Sequence, residues 1–158
     1  GSGGNPLAHT MSSSKIERII LNDRPASELL LHGTIASKYH VPLVFVSGDF
    51  GICKEIRKIN PLTVTHCTMH GVGDSTISMQ PKLSVMQIKK KVERALKLDM
   101  TLCTWAHPNK FKLKIRYMKH VDAYRASHYP NAIMMNAKSV VYESKDYDDI
   151  MRFILFCV

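Results

Sequence analysis

Polar and apolar positions change period several times along the chain, and each change marks an element. Residues 15–21, KIERIIL, form a short apolar run closed by Asn22-Asp23, the signature of a strand entering a turn. Asp23 suits a helix cap and Pro25 a first helical turn, so a helix is expected from about 25 to 39, with Leu29, Leu31, Ile35 and Ala36 as its apolar positions. VPLVFVSGD at 41–49 is apolar on both faces until Gly48, which suits a central strand of a parallel sheet covered on both sides. FGICKEIRKI at 50–59 reads as a helix ended by Asn60-Pro61, and LTVTHCT at 62–68 as another strand. HGVGDST at 70–76 is expected as a glycine-bearing loop. After it Pro81 begins a long amphipathic helix, with Leu83, Met86, Ile88 and Val92 on one side and Lys89, Lys90, Lys91 and Arg94 on the other.

KFKLKIRY at 110–117 alternates strictly, which predicts a half-exposed strand, antiparallel or at a sheet edge. Residues 119–128 read as helix. NAIMMN and KSVVYES read as two short strands joined by a turn, and Asp146, Asp148 and Asp149 favour the start of a last helix. The fold class expected is α/β, a partly parallel sheet flanked by helices, followed by a smaller α+β portion with antiparallel strands. The corresponding division is an N-terminal loop over 1–14, an α/β part over 15–80 and a basic α+β part over 81–158.

Composition narrows the picture. The 158 residues, 45% of them hydrophobic, suffice for one packed core. No apolar run reaches the roughly 18–20 residues of a membrane-spanning helix, so no membrane partner is expected. The GSGG start lacks an initiator Met and a signal peptide, and is expected to be an expression scar or an interior point of a longer protein. Four cysteines lie far apart with no CxxC pair, which argues against a zinc knuckle and for reduced, mostly buried thiols in a cytoplasmic protein. Lys and Arg number 22 against 13 acidic residues. In 110–117, however, Phe111 and Tyr117 alternate with the cations and turn to the core rather than forming stacking platforms. A solvated or assembly-facing surface is therefore favoured over a nucleic-acid-binding module.

The chemistry-bearing positions are few. HGVGDST is not a phosphate-binding GxxxxGK[ST] loop and reads as a plain connection. The eight histidines form no HExxH. Glu28 and His32 are four apart and share a helix face, a spacing open to metal ligation but more common as a surface hydrogen bond. His9, in the polar stretch NPLAHTMSSS, is a candidate acid–base group or a solvated loop residue.

Taken in order, LAHTMS, ILNDRPASELLLHGTIASKYHVPLVFVSGD and KFKLKIRYMKHVDAYRASHYPNA resemble the C-terminal half of the zinc-dependent D-aminopeptidases of the dipeptide-operon type. The most specific stretch is NxRPxxE, then a helix, then VPxxxVxGD. The resemblance implies hydrolytic release of N-terminal D-amino acids from short peptides, in homo-oligomeric rings that enclose the active sites. It makes Glu28 a zinc ligand and His9 the catalytic nucleophile or acid–base group. It also implies ligands from an N-terminal half, an Asp-x-Glu and two histidines, which this chain lacks. Leu30, His32 and Gly33 stand where the family has Gly and Asn-Ala. The chain alone is thus expected to be incomplete, and a non-catalytic binding or assembly relative is the alternative.

Overall fold

The computed structural model describes residues 5–6 and 11–158. The strands are β1 (Ile16–Leu21), β2 (Arg24–Pro25), β3 (Phe45–Asp49), β4 (Val64–Val72), β5 (Ser75–Ser78), β6 (Phe111–Tyr117), β7 (Ile133–Asn136) and β8 (Ser139–Ser144). The helices are α1 (Glu28–Lys38), α2 (Phe50–Ile59), α3 (Pro81–Ala95), α4 (His120–Ser127) and α5 (Tyr147–Cys157). These form two compact units, one of residues 32–106 with Asn5 and Pro6, the other of residues 11–31 and 107–158. The chain passes between the units within α1 and again after Ala106. β1 belongs with the C-terminal strands, and α3, expected to open the C-terminal part, belongs with the first unit.

The expected fold class holds. In the first unit β3 and β4 are parallel and joined through α2, while β4 and β5 are antiparallel. The second unit is a wholly antiparallel sheet in the order β2-β1-β6-β8-β7. There Leu113 lies between Leu21 and Tyr142, and Ile115 between Ile19 and Val140. This apolar face is covered by Ala123 and Ala126 of α4 and by Ile150, Phe153 and Ile154 of α5, all buried.

Local physics accounts for three departures from the sequence reading. The helix expected from residue 25 starts at Glu28. Asn22 and Asp23 take left-handed φ values of 46° and 63° and make a two-residue turn, which pairs Leu21 with Arg24 and Ile20 with Pro25. Pro25 therefore sits on an edge strand, where its missing N–H is harmless. The strand expected from 41 is shorter, and β3 is at one side of the β3-β4-β5 order rather than central. The 70–76 loop is instead the tip of the β4–β5 hairpin, turning through Gly73 at φ 56°. The alternating strand β6 is antiparallel, as expected, and is central in its sheet. Alternation reports that one face is covered, not how many neighbours the strand has.

Candidate functional site

Glu28 is placed by two rigid devices. The first is the β1–β2 turn. Asn22 Oδ1 accepts from the Lys112 backbone N–H at 2.7 Å, and the Asn22 N–H donates to the Lys112 carbonyl at 2.9 Å. The second is the helix cap. Ser27 is buried, and its hydroxyl accepts from the Leu30 N–H at 3.1 Å. Glu28 follows as the first residue of α1, where a carboxylate also complements the positive end of the helix dipole. Its side chain is exposed, and His32, one turn further, is exposed too. Both the metal-ligand reading and the surface-charge reading are compatible with that placement.

The rest of α1 is fixed more firmly. Gly33 is buried, and a Cβ there would come within 2.4 Å of the Trp105 ring. Trp105 is held over this stretch by its backbone N–H on the Ser37 hydroxyl at 3.0 Å and by its indole N–H on the Thr34 hydroxyl at 3.4 Å. The helix ends with His40 at φ 58°, with bonds from the His40 N–H to the Ser37 carbonyl and from the Val41 N–H to the Ala36 carbonyl. That is a Schellman closure with histidine in the position glycine usually takes.

His9 lies outside the described residues. Among the described residues, no three His, Cys, Asp or Glu side chains are grouped so that they could hold a metal ion. Catalytic zinc takes three protein ligands. The described residues therefore do not fit a zinc ion by themselves, and Glu28 is one ligand of an incomplete set at most. An open cleft of about 590 Å³ lies in the second unit, lined by Lys15, Arg125, His128 and Tyr129 among others, and Glu28 is not part of its wall.

Charge on β6 is largely answered locally. Arg116 Nε is 2.8 Å from Glu17, and Glu143 pairs with Lys110 and, at 3.8 Å, with Lys112. The hydrogen bond from Lys110 holds the Glu143 carboxyl below the usual range. This is a mixed-sign, exposed face, unlike the uniform cationic track that phosphates select.

The comparisons with known proteins bear on the same chain. The family model described as D-aminopeptidase matches residues 1–156. The chain belongs to the D-aminopeptidase family. Within that family it is 25% identical over 142 residues to a D-aminopeptidase of Bacillus subtilis (strain 168), covering 89% of this chain and 52% of the relative. Its fold matches the Zn-dependent D-aminopeptidase DppA from Bacillus subtilis, described as a self-compartmentalizing protease. That match has a TM-score of 0.85 and 22% identity, over 95% of this chain and 55% of that one. The chain thus spans about half the length of these D-aminopeptidases.

Sequence reasoning missed one group, a thiol–imidazole contact between Cys67 and His70. Residues three apart on a strand point to opposite faces, so nothing in the spacing announced it.

Proposed function

We propose that this chain forms part of a zinc-dependent aminopeptidase that releases N-terminal D-amino acids from short peptides, with Glu28 as one metal ligand and His9 as the catalytic loop group. The family match over nearly the whole chain carries this reading. The placement of Glu28, an exposed carboxylate on a capped helix start held by the Asn22 turn, is compatible with it. The remaining ligands come from outside the described residues. The assembly is a homo-oligomer in the cytoplasm. The self-compartmentalizing description of the Bacillus structure and the four free thiols here agree with that.

The test pairs this chain with the N-terminal half of the Bacillus relative by co-expression. Zinc content by mass spectrometry and hydrolysis of a D-alanyl dipeptide against its L-enantiomer are then measured. Stoichiometric zinc and D-selective hydrolysis, both lost in Glu28→Ala, are expected. A complex that hydrolyses the D-peptide equally well with Glu28→Ala would remove Glu28 from the site.

The alternative is a non-catalytic assembly relative, which the Leu30, His32 and Gly33 departures from the family pattern favour. That reading requires no stoichiometric zinc in any pairing.

A further inference from the structure

The middle of β4 carries a group that the peptidase reading does not use. Cys67 Sγ lies 3.5 Å from His70 Nε2. The pairing with β3 passes from Gly48↔Cys67 to Asp49↔Met69, so Thr68 is an extra residue. Such a bulge resets the alternation and brings positions 67 and 70 to one side. His70 is held from a second direction, stacked on Phe50 with centroids 5.1 Å apart and planes at 29°. Phe50 opens α2, whose first turn is pinned by the Ile52 N–H on Asp49 Oδ1 at 2.9 Å. Cys67 is half-buried and His70 exposed, so the pair is not sealed in the core.

Among the described residues, the charged and titratable groups around the pair come from α2 and α3, and the Lys54 ammonium lies 6.0 Å from the centroid of the same Phe50 ring. Cys53 and Asp49 lie on the α2 side, and Cys53's own thiol is pushed up by burial and then by Cys67. From α3, the Lys91 ammonium donates to the Thr65 carbonyl at 2.9 Å. From β5, Ile77 is the residue opposite His70.

A thiol becomes a nucleophile by losing its proton, and a neighbouring imidazole is a base suited to removing it at neutral pH. We propose that Cys67 and His70 form a reactive-thiol site for soft carbon electrophiles. His70 Nε2 takes the S–H proton as the sulfur lone pair forms the new C–S bond, and the leaving group departs with its bonding electrons. With iodoacetamide the products are carbamidomethyl-cysteine, iodide and imidazolium. The Met69 carbonyl, 3.3 Å from Cys67 Sγ, is a second acceptor. It orients the S–H at rest, but an amide oxygen is too weak a base to remove the proton.

The test is alkylation of the folded chain by iodoacetamide at pH 7, resolved cysteine by cysteine through peptide mass mapping. Cys53 and Cys103 are 0% and 1% exposed, and burial pushes the Cys157 thiol up to about 11. These three thiols report an intact fold. Cys67 is expected to react first. His70→Gln is expected to slow it roughly ten-fold, below the hundred-fold or more of a fully preorganised base. At pH about 10, where an ordinary thiol ionises unaided, the two proteins should react alike. Equal rates at pH 7, or the same slowing at both pH values, would overturn the proposal; the latter marks a steric role. If Cys53 or Cys103 becomes reactive in the variant, its fold is lost and the unaltered chain decides. A Cys67 rate above that of glutathione at pH 7, converging with it at high pH, upholds the site, and a profile that coincides with glutathione's throughout sinks it.

Discussion

The two units are stabilised by different means. In the second, nearly every fully buried side chain is apolar or aromatic. Phe153 stacks on Tyr142 with centroids 4.8 Å apart, and Tyr147 sends its hydroxyl to the Leu31 carbonyl at 3.0 Å. The first unit buries few large apolar groups, chiefly Val46, Cys53 and Ile56, but also hides Thr34, Ser37, Asn60, Thr63, His66 and Ser84. Its buried polar groups tie loops to backbone. Asn60 donates to the Leu102 and Thr104 carbonyls at 2.8 and 3.1 Å, and Thr63 donates to the Leu43 carbonyl at 2.8 Å. Apolar packing is non-directional and tolerates compensation, whereas a buried hydrogen bond fails as a unit when one partner is removed. The first unit should therefore be the more sensitive to small polar changes, the second to loss of volume.

The largest effect is expected from Phe153→Ala, which empties the centre of the second core and should cost about 3–5 kcal/mol in urea unfolding. If the loss is under about 1 kcal/mol, that core is not what holds the unit. Asn60→Ala should follow at about 2–3 kcal/mol, because it strands two carbonyls and the Leu62 N–H that Asn60 Oδ1 accepts at 2.9 Å. Hydrogen exchange should then rise around residues 60–64 and 100–104 before it rises in β6. Gly33→Ala drives a methyl into the Trp105 ring and should cost about 1–3 kcal/mol, with a shift in tryptophan fluorescence. An unchanged emission spectrum would show that the ring yields freely.

The smallest effect is one of pH. Burial, and then the Lys91 charge, push the His66 imidazole below its ordinary range, and its Nε2 lies 3.3 Å from the Ser84 hydroxyl. The unfolded chain therefore takes up a proton that the folded chain refuses. The contribution of His66 to stability is complete above about pH 6.5, falls as pH drops toward the depressed native value, and is constant below it. In urea titrations at pH 7 and 5, His66→Gln should narrow the gap between the two midpoints. A gap as wide as in the unaltered chain would assign the acid sensitivity elsewhere.

The same contrast explains how much the sequence disclosed. In the second unit β6 was legible, because Phe111, Leu113, Ile115 and Tyr117 alternate with cations and every one of the four is buried. Its neighbours were not legible, since partners such as Ile19 and Val140 are remote in the chain. Pro25 misled because a proline fits both a first helical turn and an edge strand, and the left-handed pair Asn22-Asp23 decided between them. Glu28 stood out only through the NDRPASE motif; on spacing alone it was one surface carboxylate among several. Cys67 and His70 were hidden because the bulge at Thr68 depends on how two strands register.

Ile19 pairs with Ile115, and Leu21 with Leu113. During synthesis, residues 16–21 thus emerge long before the segment they must join, and residues 32–106 are made in between. The early strand must wait as an open edge, exposed to chaperones or to neighbouring copies, until β6 leaves the ribosome. Such long-range closure makes the last third of the message decisive for the first, so a chain cut short after residue 106 should be degraded rather than accumulate.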